Sequence, residues 1–250
     1  MRSLPVRAAL AAAVLLSGCA HRPADDPSDP LEPVNRAVFA FNEKADQYVL
    51  RPVAQGYEKV VPSFARTGIR NFLDNLFYPT VIINDLLQLK GQHLAQDFCR
   101  LVLNTTFGLG GFLDVATPGG LTRNDEDFGQ TLGHWGVGEG WYLMLPLFGP
   151  SNNRDFIGQL GDSVTSPLFY LEPDELGYAL GALDKLDERA NLLKADRFLE
   201  QQLDRYVFVR TIYLQTRQNK VYDGNPPKEE LGFDEADFED EEAPPPAPDE

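Results

Sequence analysis

Three histidines are the imidazole bases that this 250-residue chain offers for acid–base or nucleophilic chemistry: His21, His93 and His134. The nearest match to a serine-hydrolase nucleophile is Ser163, in the string Gly-Asp-Ser-Val-Thr. This string lacks the closing glycine that the tight strand-to-helix turn of such enzymes needs. Neither His93 nor His134 stands in a recognisable catalytic setting, so the sequence predicts no catalytic residue.

The sequence also contains no motif for a bound cofactor or metal ion. No Gly-Lys dipeptide occurs in the chain, which excludes a phosphate-binding P-loop. There is neither a pair of histidines nor a pair of cysteines at metal-ligand spacing, so we predict no metal site. We expect no cofactor other than a lipid attached to the chain itself.

Cys19 is the residue with a defined chemical role, because it ends the string Leu-Ser-Gly-Cys. Ahead of it lie the basic residues Arg2 and Arg7 and an apolar run over residues 8–16, which is too short to span roughly 30 Å of hydrocarbon. The pattern resembles the lipobox of bacterial lipoproteins, so residues 1–18 are predicted to be a signal peptide and the Cys19 thiol to take the lipid. The alternative is an ordinary cleavage site beside an incidental cysteine.

The residue after the lipidated cysteine bears on location. An acidic residue there would resemble an inner-membrane retention signal, and Ala20 favours the outer membrane instead. Several acyl chains, at about 0.8 kcal/mol per buried CH₂ group, would make the anchoring lasting. We therefore expect a lipid-anchored protein on the periplasmic face of the outer membrane, with residues 19–30 as lipidated cysteine and tether. Cys99, the other cysteine, is predicted to be a small buried apolar residue.

Charge is concentrated at the C-terminal end. The chain has a formal net charge of −16, and residues 223–250 hold twelve acids and one base. An acidic chain cannot replace the counterions around phosphates, so we exclude a nucleic-acid partner. The tail, residues 223–250, is predicted to be disordered because it has too little apolar surface to offset the cost of ordering.

Residues 31–222 are predicted to form an all-α body, since apolar residues recur there with the helical period. Pro52 and Pro79 are each expected to open a new helix. The two closing helices are predicted over about 174–193 and 196–220. Glycines punctuate the middle of the body, ahead of the uncharged strip Trp141–Phe148.

Five groups of short strings follow the lipobox in order. They are Asp29–Arg36 with Phe39–Asn42, Asn71–Leu76 with Asn84–Gln88, Asn104–Asp114, Glu126–Leu132, and Trp135–Tyr142 with its continuation to Asp155. Together they resemble the VacJ/MlaA family of outer-membrane lipoproteins, over roughly residues 29–213. The acidic tail lies outside the resemblance.

The resemblance implies retrograde phospholipid transport, which maintains the lipid asymmetry of the outer membrane. It implies a ring of amphipathic helices in the inner leaflet around an amphipathic channel, with a glycine-rich hairpin beside that channel. Misplaced phospholipids would pass through to a soluble periplasmic lipid-binding protein, and trimeric porins would hold the ring in place. No bond of the lipid is broken on this route, so we expect that the protein is not an enzyme.

By the same resemblance, Gly138 and Gly140 flank the base of a mobile hairpin. Glycine reaches backbone conformations that would let the apolar strip swing. The alternative is that both are static turn glycines.

Lipid access is the second role that the resemblance implies. Phe39, Phe41 and Asn42 resemble a helix segment that shapes access to the channel, and Trp141 and Tyr142 are further candidates. For the phenylalanines, ordinary core packing is the alternative.

Two other functions remain open from the sequence. A periplasmic phospholipid hydrolase would use His134 or Ser163 and would release fatty acid or lysolipid. A structural lipoprotein would brace porins without transporting lipid. Arg36, beside Glu32 and Asp29, is open to two interpretations as well: a headgroup contact or a structural ion pair.

Overall fold

The computed structural model describes residues 29–227, and this part of the chain is largely helical. The predicted signal peptide, Cys19, nearly all of the tether and the acidic tail beyond residue 227 lie outside the described residues. In chain order, the helices are α1 (Glu32–Ala45), α2 (Arg51–Val60), α3 (Ser63–Leu87), α4 (Gly91–Thr106), α5 (Phe128–His134), α6 (Asn153–Thr165), α7 (Asp174–Leu192), α8 (Asp196–Glu200) and α9 (Arg205–Val221). The predicted all-α class is confirmed.

The exception to the helical class is a small antiparallel hairpin between α5 and α6. Its strands are β1 (Tyr142–Leu145) and β2 (Gly149–Asn152), with Tyr142 opposite Asn152 and Leu145 opposite Gly149. The hairpin occupies most of the uncharged strip that the sequence singles out.

Helices α1 and α2 form one continuous rod, joined by a π-helical turn over Asp46–Leu50. In this turn the N–H of Arg51 donates to the carbonyl of Asp46, five residues earlier. Pro52 follows at once, and its ring would clash with the carbonyl one turn back in an unbroken α-helix. The wider π turn accommodates that ring, so α2 begins at the predicted place without an intervening loop.

The prediction that Pro79 opens a new helix is wrong. Helix α3 runs through Pro79 without a break. A proline inside a helix costs about 3 kcal/mol because it removes a backbone donor and crowds the preceding turn. Its neighbours Tyr78 and Thr80 are both buried, so packing against adjacent elements outweighs the local preference.

The predicted single helix over 196–220 is instead two helices, α8 and α9. Asp204 separates them, because its side chain caps α9 by accepting the N–H of Val207 at 3.1 Å. An aspartate at this position satisfies a backbone donor that a new helix would leave unpaired. Arg36 of α1 also reaches Asp204, at 2.8 Å, and ties the cap to the rest of the fold.

The apolar core is small and lies beneath the hairpin. Tyr142 and Met144 of β1 pack there against Tyr206 of α9, with Phe39 of α1 alongside. The ring centroids of Tyr142 and Tyr206 are 6.1 Å apart, and those of Phe39 and Tyr206 5.7 Å, both edge to face. The core therefore joins the first helix, the hairpin and the last helix.

The outward face of α4 contradicts one prediction. Cys99 is exposed rather than buried, and Phe98 beside it is 57% exposed. Phe98 and Cys99 therefore lie on the outward side of α4. Between residues 29 and 227, no helix combines the length and the apolar character needed to cross a bilayer.

Candidate functional site

Among residues 29–227, polar side chains predominate in the interior and many large apolar side chains lie on the surface, which is the reverse of a typical soluble protein. Seventeen of the buried residues are polar or charged and nine are apolar, whereas thirty-four large apolar side chains are exposed. Single exposed apolar residues are normal on proteins, but an interior with more polar than apolar residues is not. The outer surface is therefore suited to apolar surroundings.

Three exposed leucines hold left-handed backbone conformations in turns. They are Leu89 (φ 58°), Leu109 (φ 55°) and Leu147 (φ 66°). A non-glycine residue in this region costs roughly 1–2 kcal/mol. Their side chains are 87%, 74% and 63% exposed, so packing within the chain offsets little of that cost. These leucines are suited to a contact outside the chain.

A polar pocket of about 240 Å³ lies between α3, α4 and the loop that follows α4. Its wall is polar apart from one leucine: Asn71, Asp74, Asn75, Tyr78, Arg100, Leu101, Asn104, Asp114, Thr117 and Arg123. The polar groups of this wall can bind water or a charged headgroup.

Arg100 is the central hydrogen-bond donor of this pocket. The guanidinium is buried and donates to the Tyr78 hydroxyl at 3.1 Å, to Thr117 Oγ1 at 2.9 Å and to Asp114 at 3.2 Å. Burial acts to raise the pKa of Asp114, but hydrogen bonds from Thr117 and the charge of Arg100 lower it to about 2. Asp114 is therefore ionised at neutral pH.

Two asparagines on α1, Asn35 and Asn42, bind the hairpin backbone as a neighbouring strand would. Nδ2 of Asn35 donates to the carbonyl of Tyr142 at 3.0 Å, and its Oδ1 accepts the N–H of Met144 at 2.9 Å. The two asparagines lie two helical turns apart, so both face the same strand.

Asn42 repeats the arrangement at the tip of the hairpin. Its Nδ2 donates to the carbonyl of Leu145 at 2.9 Å, and its Oδ1 accepts the N–H of Leu147 at 2.8 Å. The predicted lipid-access residue thus holds the turn that presents a left-handed leucine.

One face of α9 supplies the other side of this support. It carries tyrosine and arginine in alternation: Tyr206, Arg210, Tyr213 and Arg217. The first pair binds the fully buried Asp29, with Arg210 at 3.0 Å. The second pair binds Asp155, with Tyr213 at 2.5 Å and Arg217 at 3.0 Å. Burial and the charge of Asp155 raise the pKa of Tyr213, which keeps it a neutral donor.

The predicted aromatic residues divide into two sets. Phe39 and the fully buried Tyr142 belong to the core beneath the hairpin. Phe41 and Trp141 are 54% and 52% exposed and belong to the apolar outer surface. The structure therefore brings Phe39, Asn42 and Tyr142 together around the hairpin, and it leaves the other two facing outward.

The two predicted hinge glycines differ in backbone conformation and in the space around them. Gly140 has a φ of 70°, and a Cβ atom there would lie 2.9 Å from Cβ of Asn153, so this turn needs glycine. Gly138 has no neighbour within 4 Å of the place where a Cβ would stand. Both lie in the segment that leads into β1, and the hinge remains a prediction.

The residues named for a hydrolase are not brought together by a hydrogen bond. Ser163 donates to the carbonyl of Gln159 in its own helix at 2.7 Å, and His134 is exposed at the end of α5. Arg36 forms ion pairs with Glu32 at 2.6 Å and with Asp204, which favours its structural interpretation.

Sequence reasoning missed the polar residues that support the hairpin: Asn35, Asp29, Arg210 and Arg217. Two spacings could have indicated them. Asn35 and Asn42 are a heptad apart, and the Tyr/Arg alternation on α9 follows the helical period. Both patterns are polar, and a search for apolar stripes passes over them.

Comparison with known proteins covers most of this architecture. The family model described as MlaA lipoprotein matches residues 27–220. The chain belongs to the MlaA lipoprotein family. The resemblance seen in the sequence is confirmed.

Relatives within the MlaA lipoprotein family match over most of their length. Proteins of Shigella flexneri and Escherichia coli K12, each named intermembrane phospholipid transport system lipoprotein MlaA, are 40% identical over 208 residues, or 80% of this chain and 82% of each relative. A solved chain from a study of the structural basis for maintenance of bacterial outer membrane lipid asymmetry is 38% identical, with a TM-score of 0.71. The match covers 78% of this chain and 99% of that one.

Proposed function

We propose that this protein is an outer-membrane lipoprotein that removes misplaced phospholipids from the outer leaflet and passes them toward the periplasm, so that the membrane keeps its lipid asymmetry. The names of its relatives support phospholipid transport, and the study of the solved chain concerns lipid asymmetry. The observation that carries the proposal to this chain is its set of exposed, left-handed leucines on an apolar outer surface.

The energetics of those leucines favour a place among acyl chains. In water, each of Leu89, Leu109 and Leu147 would bear the cost of a left-handed conformation with little in return. Burying a leucine side chain contributes about 1.5–3 kcal/mol, which is enough to offset that cost. Lipid around these turns therefore supplies the stabilisation that the fold lacks.

Transport of a phospholipid is a shielding problem. Exposing two chains of about sixteen carbons to water would cost roughly 25 kcal/mol, at about 0.8 kcal/mol per CH₂ group. A protein that moves such a lipid has to cover its tails throughout, and it needs no bond chemistry. A polar pocket inside an apolar outer surface offers a headgroup and its tails the two environments that they need.

The finer assignments belong to the same proposal. Cys19 carries the lipid anchor and places the protein on the periplasmic face. A trimeric porin holds it in the membrane, and a soluble periplasmic carrier takes the phospholipid. The string Leu-Ser-Gly-Cys supports the anchor, and family membership supports the two partners.

Mass spectrometry of co-purifying lipid tests the proposal. The lipidated protein is extracted from membranes with and without porin, and we expect intact phospholipid in both samples. Fatty acid or lysolipid that disappears in a Ser163→Ala variant would show a hydrolase instead. Porin without any phospholipid would indicate a structural brace. In a deletion strain, we expect phospholipid to accumulate in the outer leaflet, and an unchanged outer leaflet would refute transport.

A further inference from the structure

Three possible metal ligands meet where the end of α3, the start of α4 and the segment ahead of α5 come together. Asp85, His93 and Glu126 each bring one donor atom to this point, and these atoms all lie within 4.8 Å of one another. Asp85 and Glu126 are buried, whereas His93 is partly exposed. The three residues are far apart in the sequence, and so they escape a search for ligand spacing.

Among the described residues, two of the three possible ligands lack hydrogen-bond partners, whereas Glu126 accepts from Nζ of Lys90 and Nε2 of Gln88, both at 2.8 Å. Asp85 is fully buried, and neither of its oxygens receives a hydrogen bond from a residue in the described part of the chain. Nδ1 of His93 is also buried, with no hydrogen-bond partner between residues 29 and 227. The buried carboxylates Asp29 and Asp155 are each paired with an arginine, as buried charges require. Asp85 departs from that rule.

Positive charge around the cluster is scarce. Nζ of Lys90 lies 2.8 Å from Glu126 and also contacts Asp223. Asp97 is fully buried and faces Asp85. The donors to Asp97 are neutral, namely the Tyr78 hydroxyl at 2.8 Å and Nδ2 of Asn124 at 2.9 Å. Among residues 29–227, Lys90 is therefore the cation in salt-bridge contact with this group of carboxylates. A divalent cation beside Asp85 would bring this region close to neutrality.

We propose that Asp85, His93 and Glu126 bind one divalent transition-metal ion, with Zn²⁺ as the simplest case. Zinc accepts carboxylate oxygen and imidazole nitrogen at about 2.0–2.2 Å. Ca²⁺ and Mg²⁺ prefer all-oxygen sites, so the histidine disfavours them. Ligand atoms around a tetrahedral ion lie roughly 3.4 Å apart. Side-chain rotations that move each donor atom by about 1 Å would bring the three atoms to that separation. The partly exposed His93 gives the ion a route in.

A bound ion would fix the turn between α3 and α4. Asp85 lies just before this turn and His93 just after it, and Leu89 is at its tip. Glu126 adds the segment that leads from the pocket loop into α5. The ion would thus hold one of the exposed leucines in its left-handed conformation, without any part in catalysis.

A proton shared between two carboxyl groups is the competing arrangement. Burial and the neighbouring Asp97 raise the pKa of Asp85 well above its usual range. A protonated Asp85 would donate to Asp97 and would need no ion. The two arrangements differ in whether the protein binds metal in a fixed ratio.

Metal titration of the full-length lipoprotein decides between them. The protein is alkylated at Cys99, stripped with EDTA and titrated with Zn²⁺ and with Co²⁺, and bound metal is counted by plasma mass spectrometry. We expect one ion per chain, a visible absorption band for bound Co²⁺ and a higher Tm with Zn²⁺ than with EDTA. His93→Gln should weaken binding by about 100-fold or more, whereas His134→Gln should not, because His134 lies outside the cluster.

Two results would overturn the proposal. One is the absence of stoichiometric metal with an identical Tm in Zn²⁺ and EDTA, which would leave the shared proton. The other is equal metal affinity in the His93→Gln and His134→Gln variants, which would indicate unspecific surface binding. If His93→Gln does not fold, the titration of the unsubstituted protein still decides.

Discussion

At the residue scale, paired polar groups hold this protein together where most domains use apolar packing. Asn35 is the strongest case, because one buried side chain serves Asp29, the carbonyl of Tyr142 and the N–H of Met144. Each of these groups would lose a hydrogen bond if the Asn35 amide were removed. The strength of the hairpin support therefore depends on single side chains.

Asn35→Ala should lower the free energy of unfolding by about 2–4 kcal/mol, since each unpaired buried group costs about 1–3 kcal/mol. Asn42→Ala is the matched control. Its hydrogen bond to Leu145 is part-buried and its hydrogen bond to Leu147 is exposed, so a loss of about 1 kcal/mol is expected. Urea unfolding in mild detergent, followed by circular dichroism, measures both. Equal losses for the two variants would contradict the hairpin support as described.

Asp162 makes stability depend on pH. Its carboxylate accepts the N–H of Phe128 at 3.0 Å and Nδ2 of Asn84 at 3.1 Å. Burial and the nearby charge of Asp127 nevertheless raise its pKa to about 6. The folded protein then holds this proton more tightly than the unfolded chain does. The resulting stability is fully present below about pH 4 and is lost as the pH rises through about 6.

Asp162→Asn should therefore unfold at higher urea than the unsubstituted protein at pH 7.5. The amide keeps an oxygen acceptor and carries no charge to desolvate. The difference between the two midpoints should shrink as the pH falls from 6 to 4. A difference that does not change with pH would refute the raised pKa.

At the element scale, the sequence predicts which segments are helical better than it predicts where they end. The segments on either side of Pro79 are each correctly predicted as helical, and burial of Tyr78 and Thr80 joins them into the single helix α3. The break at Asp204 depends on a cap, which an apolar pattern does not report. The bonds from Asn35 to β1 join residues more than a hundred positions apart, and no local pattern contains them.

The proposed hinge gives a prediction at this scale as well. Gly138→Ala should leave the free energy of unfolding nearly unchanged, because the added methyl group meets no neighbour. If the segment before β1 has to move, the same variant should let phospholipid build up in the outer leaflet. Gly140→Ala is the contrasting variant, since its φ and its contact with Asn153 should destabilise the turn. Normal lipid turnover in Gly138→Ala would remove the hinge.

At the scale of the whole molecule, three surface leucines lower the stability of the fold through their backbone conformation but provide apolar surface for membrane contact. Leu89, Leu109 and Leu147 each occupy a conformation that asparagine adopts more readily. A variant with Leu→Asn at all three positions should be at least as stable as the unsubstituted protein. In a Cys19→Ser background, its affinity for phosphatidylcholine vesicles should fall by about 100-fold or more.

Asp223→Asn is the control for the backbone effect. Asp223 also has a positive φ, of 49°, but its replacement removes no apolar surface. Vesicle binding should not change in this variant, and co-sedimentation measures both cases. Undiminished vesicle binding by the triple variant would show that the leucines serve some purpose other than lipid contact.

The exposed thiol of Cys99 makes the outer wall of α4 directly observable. Once Cys19 has been consumed by the anchor, a maleimide dye can attach at one place only, next to the exposed Phe98. The emission wavelength of that dye would then report whether this face of α4 lies among acyl chains, among headgroups or in water. The measurement needs no change to the sequence.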